Sequence, residues 1–333
     1  MALRLIEMVL KETDAEALHD LLKEHTLLEH RQLRCSDGDV LVRILLDAEH
    51  SEAVLDVLAT RYGGEHENRV LILPVEATLP RIEPIPDTTP PPPVTEDKPP
   101  ARIGREELYE DIKDATRCTR VYLAMVVLST IVAAIGLYYN SVTIIIGAMV
   151  IAPLLGPNMA MALATTLGDL PLLWQGLRTN LAGIATVMVL SVIIGVLLKA
   201  NPATSELATR DSVALGDVVV ALASGAAGAL AFTTGASAIL IGVMVAVALL
   251  PPLVAFGLLL GGGHPALATG AFSLFLMNLI CINLAGVGTF LLQGIHPATW
   301  WEEKRATKAT RIAVGLWVAL LGALVGLIVL MQS

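Results

Sequence analysis

Ile144-Ile-Ile-Gly-Ala-Met-Val-Ile-Ala-Pro-Leu-Leu-Gly-Pro157 is apolar enough to sit in a membrane. Yet it carries two prolines and two glycines where a plain spanning helix has none. Pro153 and Pro157 each lack a backbone donor and clash with the preceding turn, and Gly156 between them loosens the backbone further. The stretch therefore predicts a helix interrupted inside the bilayer.

Ninety-five residues later a relative follows, Ile239-Leu-Ile-Gly-Val-Met-Val-Ala-Val-Ala-Leu-Leu-Pro-Pro252. At that offset Gly147 matches Gly242, Met149 matches Met244, Val150 matches Val245, Leu154 and Leu155 match Leu249 and Leu250, and Pro157 matches Pro252. Further on, Asn180-Leu-Ala-Gly-Ile-Ala-Thr186 recurs as Asn283-Leu-Ala-Gly-Val-Gly-Thr289, with a short insertion between. The chain reads as a duplicated unit of three spans, residues 121–199 and 214–292, with one interrupted helix per copy. An odd number of spans turns the second copy upside down, the inverted 3+3 arrangement found in many secondary transporters.

Composition agrees. Of 333 residues 55% are hydrophobic and 16% charged, and the mean hydropathy is +0.69, values that belong to a polytopic membrane protein. Seven spans are expected, at about 121–139, 141–167, 180–199, 214–234, 236–260, 266–292 and 310–331. No Asp, Glu, Lys or Arg falls between Val121 and Gly168 or between Val218 and Trp301. The formal charge of -9 argues against nucleic acid as a partner. Cys35, Cys118 and Cys281 lie far apart and form no metal or disulfide framework. The opening residues are amphiphilic and do not resemble a cleaved signal peptide.

Before the spans lies a soluble head, residues 1–78. Apolar alternation and turn residues give the order β-α-β-β-α-β, which is that of a ferredoxin-like α+β sandwich. Here a helix is expected over Asp14–His25, a hairpin around Ser36-Asp-Gly-Asp39, and a helix capped by Ser51. Its core is small, so a homo-oligomer is expected. A linker, residues 79–102, holds nine of the 18 prolines and reads as a semi-rigid spacer. Residues 103–120 alternate as an amphipathic juxtamembrane helix. Lys and Arg concentrate on the N-terminal side of the spans, at Arg105, Lys113, Arg117, Arg120, Arg178 and Lys304 among others. The positive-inside rule then predicts a multi-pass inner-membrane protein with a cytoplasmic N-terminus.

Gly147-Ala-Met-Val-Ile-Ala-Pro-Leu-Leu-Gly-Pro157, continuing to Gly168-Asp169, resembles the signature of a bacterial and archaeal membrane family. That family is known as the uncharacterised hydrophobic domain, or domain of unknown function 389. The resemblance covers about residues 117–293 and implies a multi-span protein with a head before its membrane part; it supplies no substrate.

The candidate solute or ion path is Pro153, Gly156, Pro157, Asn158, Pro251, Pro252, Asn180 and Asn283, with Asp169 and Asp217 as acidic residues at the boundary. Helix N-termini at such breaks favour anions and unwound carbonyls favour cations. The bland reading competes: proline kinks closed by neighbours, and Asn180, Asn278 and Asn283 as interhelical glue. No nucleophile–base pair, haem ligand pair or phosphate loop is present, so neither an enzyme nor a cofactor is expected. Two functions follow. One is a transporter- or channel-like protein gated by its cytosolic head. The other is a non-transporting membrane sensor or scaffold whose head binds a ligand or partner.

Overall fold

The computed structural model describes residues 3–23, 25–35, 38–62, 69–75, 78, 103–198, 215–234 and 238–296, with Gly315, Ala319, Gly322 and Gly326 beyond them. The chain divides into two compact units, Met1–Leu108 and Tyr109–Ser333. The expected linker at 79–102 and, apart from those four helical positions, the span at 310–331 lie outside the described residues.

In the first unit the order is β1 (Leu3–Lys11), α1 (Glu12–Leu21), β2 (Glu29–Arg34), β3 (Asp39–Asp47), α2 (Ala48–Tyr62) and β4 (Val70–Val75). The strands form one antiparallel sheet in the order β2-β3-β1-β4. Alternation sends Ile6, Met8 and Leu10 of β1 and Val42, Ile44 and Leu46 of β3 to one buried face. Leu18, Val54, Leu55 and Leu58 from the two helices close the core on that face. Two boundaries differ from expectation. β3 keeps its pairing with β1 as far as Asp47, so α2 starts at Ala48 and Ser51 lies within its first turn, where the hydroxyl donates to the Ala48 carbonyl at 2.7 Å. α1 starts at Glu12, directly from β1, and ends at Leu21.

The amphipathic helix α3 (Arg105–Ala115) is shorter than the expected 103–120. Its first turn belongs to the first unit, where two ion pairs hold it. Arg4, on the covered face of β1, grips Glu107 with two bonds of 2.7 Å, and Arg105 reaches Asp56 of α2 at 2.9 Å. Arg105 is pushed upward: burial lowers it, and the Glu106 and Asp56 carboxylates outweigh that effect.

The second unit is helical. α4 (Arg120–Tyr138) is capped by the Thr119 hydroxyl, which accepts from the Tyr122 amide. α5 (Val142–Ile151) and α6 (Leu155–Leu167) follow, then α7 (Leu170–Leu198), α8 (Leu215–Thr233), α9 (Ala238–Gly261) and α10 (Pro265–Leu292). Among the described residues, four stretches are each long and apolar enough to cross a bilayer: Arg120–Tyr138, Leu170–Leu198, Gly216–Thr233 and Pro265–Leu292. α5 and α6, bent by 55° at their break, make a fifth if taken as one span.

The two proline stretches fold differently. The first breaks, as its prolines predict. The second does not: α9 runs on through Pro251 and Pro252. Pro252 cannot donate to the carbonyl of Ala248, four residues back. The Asn278 side chain of α10 does so instead, with its amide nitrogen 2.7 Å from the Ala248 oxygen. At the offset of 95, Ala248 stands opposite Pro153, so the later stretch lacks the extra proline that opens the earlier one.

Helix contacts in this unit are close because glycines sit at the crossings. A Cβ at Gly261 of α9 would lie 2.3 Å from the Val192 carbonyl of α7, and one at Gly225 of α8 would lie 2.7 Å from the backbone of Ile282 in α10.

If Asn278 replaces the missing proline donor, Asn278→Leu leaves the Ala248 carbonyl buried and unpaired. The expected cost is about 1–3 kcal/mol, read as a lower melting temperature of the purified protein in detergent. An unchanged melting temperature would show that another donor serves this carbonyl.

Candidate functional site: an amide cluster at the helix break

α5 ends where Pro153 has no N–H to offer the Met149 carbonyl. The backbone at Ala152 goes extended (φ -70°, ψ 117°), and α6 starts at Leu155 without a side-chain cap. From Leu155 to Thr166 every residue of α6 is buried, with α7 and α10 packed against it. The helix can sit this deep because its N-terminus tolerates no side chain: a Cβ at Gly156 would fall 2.4 Å from the Ala115 carbonyl.

Asn158 is the fourth residue of α6 and has no solvent exposure. Its side-chain oxygen accepts two amide donors, from Asn180 of α7 at 3.1 Å and from Asn283 of α10 at 2.9 Å. Its own nitrogen donates to the Leu154 carbonyl at 2.7 Å, beside the break. The Asn283 nitrogen spends its other hydrogen on the Leu279 carbonyl at 2.8 Å. Both neighbours of that nitrogen are acceptors, so the orientation of the amide is forced; the flipped form would set oxygen against oxygen. The Asn283 oxygen is then left buried with no partner among the described residues. A buried acceptor in that state costs about 1–3 kcal/mol.

The structure thus brings together Gly156, Pro157, Asn158, Asn180 and Asn283. Pro153 lies in the break itself, half-buried, and Pro251 and Pro252 are buried within unbroken α9. Asn278, which serves that helix, lies five residues before Asn283. That spacing turns the two amides about 140° apart around α10. Each amide of the recurring Asn-Leu-Ala-Gly has a glycine three residues on that admits a neighbour: a Cβ at Gly183 would meet the Tyr122 hydroxyl at 2.5 Å, and one at Gly286 would meet Ala162 at 2.9 Å.

Around the break runs a second set of polar contacts with no signal in the sequence, because its members are far apart in the chain. The Tyr122 hydroxyl donates to the Thr179 carbonyl at 3.2 Å, and the Thr179 hydroxyl donates to the Thr116 carbonyl at 2.8 Å. The Thr116 hydroxyl has the Ile112 carbonyl at 2.6 Å and the Gly156 carbonyl at 3.2 Å.

Asp169 caps α7, accepting from the Leu172 amide at 3.0 Å, and its other oxygen accepts from the Tyr109 hydroxyl at 2.8 Å. It follows Gly168, whose left-handed backbone (φ 71°) ends α6. Asp217 lies in the first turn of α8, where a carboxylate favours the helix dipole.

Chemically the cluster holds neutral amides and no group that titrates near neutral pH. Its free oxygen can accept a hydrogen bond or serve as one ligand of a partly dehydrated cation.

The family described as "Domain of unknown function (DUF389)" matches residues 149–284. That range opens inside α5 and closes one residue after Asn283. An uncharacterised protein of Methanocaldococcus jannaschii is 38% identical over 288 residues, which cover 86% of this chain and 87% of its own. No solved structure matches the chain.

Burial, the bond to Asp169 and the charge of that carboxylate push the Tyr109 phenol up to about 12. The folded protein therefore holds this proton more tightly than the unfolded chain, whose phenol ionises near 10. Its contribution to stability is complete below pH 10 and is lost as pH rises from there through about 12. Melting temperature should fall across that window more steeply in the wild type than in Tyr109→Phe; parallel curves would mean that Tyr109 ionises as an ordinary phenol.

Proposed function

The chain belongs to the DUF389 family, and from that premise we propose that it moves a small solute or ion through its membrane part, past the amide cluster at the α5–α6 break. Asn158 is the observation that carries this reading: one buried oxygen holds the amides of two other helices at the point where backbone bonding is interrupted. In hydrocarbon every polar group needs a partner, and an interrupted helix persists only where protein or a wet path satisfies it. The unpartnered Asn283 oxygen marks where a solute would enter the bonding. A hydroxylated or amino-bearing solute, or a monovalent cation, fits a neutral acceptor of this kind.

The same amides support the inverted 3+3 repeat. Asn180 and Asn283 hold equivalent positions in the two copies, and both donate to Asn158. Under a two-fold relation in the membrane plane, equivalent residues meet only near the axis, and Asn158 would lie beside it. The sheet order β2-β3-β1-β4 with its two helices on one face supports a ferredoxin-like head. We assign that head to the cytoplasm from the distribution of Lys and Arg, place the protein in the inner membrane as a homo-oligomer, and give the head the role of gate.

A second reading is a membrane sensor or scaffold that transports nothing, with the amides as glue between helices. The complete burial of Asn158 and Asn283 favours it, since such bonds contribute about 1 kcal/mol each to helix association.

Flux of alkali cations and small polar solutes into proteoliposomes separates the two. Transport predicts a measurable flux that Asn158→Leu lowers at least tenfold while the variant still elutes as the wild-type species. Absence of flux for every solute in the panel, or flux indifferent to Asn158→Leu, would leave the scaffold.

A further inference from the structure

α4 and α7 differ in length in a way that locates the membrane edge. The 19 residues of α4 rise about 28 Å, close to the roughly 30 Å of a hydrocarbon core. The 29 residues of α7 rise about 43 Å, too long by roughly 13 Å. The surplus lies at the start of α7, because Thr179 is tied to Thr116, just before α4, and to Tyr122, within the first turn of α4. From Thr179 to Leu198, α7 matches the core thickness, so on the membrane reading of these helices residues 170–178 are the part left for the headgroup layer.

That protruding segment borders a cavity of about 400 Å³, lined by Cys118 and by one face of α7 that includes Trp174, Gln175, Arg178, Thr179 and Ala182. The volume is within the range of small-molecule sites. Trp174 is 59% exposed, and an indole at this depth is the usual neighbour of lipid headgroups. Arg178 has no carboxylate partner among the described residues, whereas the nearby Arg117 is paired with Asp114 at 2.8 Å and Asp169 is engaged by Tyr109. An uncommitted guanidinium at the hydrocarbon edge, on the wall of a cavity, is set to bind a phosphate with two parallel N–H bonds.

We propose that this cavity is a binding site for one anionic phospholipid, its phosphate on Arg178, its glycerol region along Trp174 and Gln175, and an acyl chain leaving past Ala182. The site rests on the membrane reading of the helices and not on transport. A chain in the groove sets it apart from a site for free phosphate, which needs only the charge.

The test uses the full chain in mild detergent, with melting temperature read against phosphatidylglycerol, phosphatidylcholine and inorganic phosphate, and with native mass spectrometry to count retained lipid. Phosphatidylglycerol should raise the wild-type melting temperature more than phosphatidylcholine does, and inorganic phosphate should leave it unmoved. Arg178→Gln should weaken apparent lipid affinity about tenfold and Arg178→Lys less, because an ammonium keeps the charge without the fork. Ala182→Leu keeps the charge, fills the chain end of the groove and should also lose the bound lipid. Equal retention by wild type, Arg178→Gln and Ala182→Leu would overturn the site, as would a response to inorganic phosphate equal to that with lipid.

Discussion

A polar group inside a bilayer cannot fall back on water, and in this protein that constraint decides where helices break and which side chains meet. Prolines delete backbone donors in two stretches of related sequence. At Pro252 the loss is repaired from outside, by Asn278, and the helix continues. At Pro153 and Pro157 the helix gives way, α6 bends by 55° from α5, and Asn158 gathers the amides of Asn180 and Asn283 beside the gap. Two proline pairs of similar appearance thus have opposite outcomes. The difference lies in the spacing of the prolines and in which neighbour presents an amide.

Such bonds require backbones close enough for short side chains to reach across. Glycine supplies that closeness. Gly156 lets α6 start against the carbonyl of Ala115, and Gly183 and Gly286 admit Tyr122 and Ala162 beside the two donor amides. The recurring Asn-Leu-Ala-Gly is a paired device, an amide that reaches and a glycine that makes room. Among the described residues of this network, the oxygen of Asn283 stays outside the balance, buried without a partner.

Much of the candidate site was legible beforehand. The prolines, the glycine between them and the asparagines stand out in apolar sequence because each is costly there and needs a reason. The Tyr122, Thr179 and Thr116 contacts were not legible, since common residues joined over about sixty positions carry no local pattern. Asp169 was picked out as a boundary acid, and its bonds to Tyr109 and the Leu172 amide give it a structural part at the turn between α6 and α7.

The sequence by itself determined the class of the molecule: apolar runs that need lipid, a small alternating sheet ahead of them, and a weak point at Pro153, because hydropathy, period and proline chemistry are local properties. Tertiary structure alone decided that the second proline pair stays helical, that α3 is held at its start by Arg4 and Asp56, and that three distant asparagines share one oxygen. The reason is that a hydrogen bond between helices depends on distance and orientation in space, and separation along the chain carries neither.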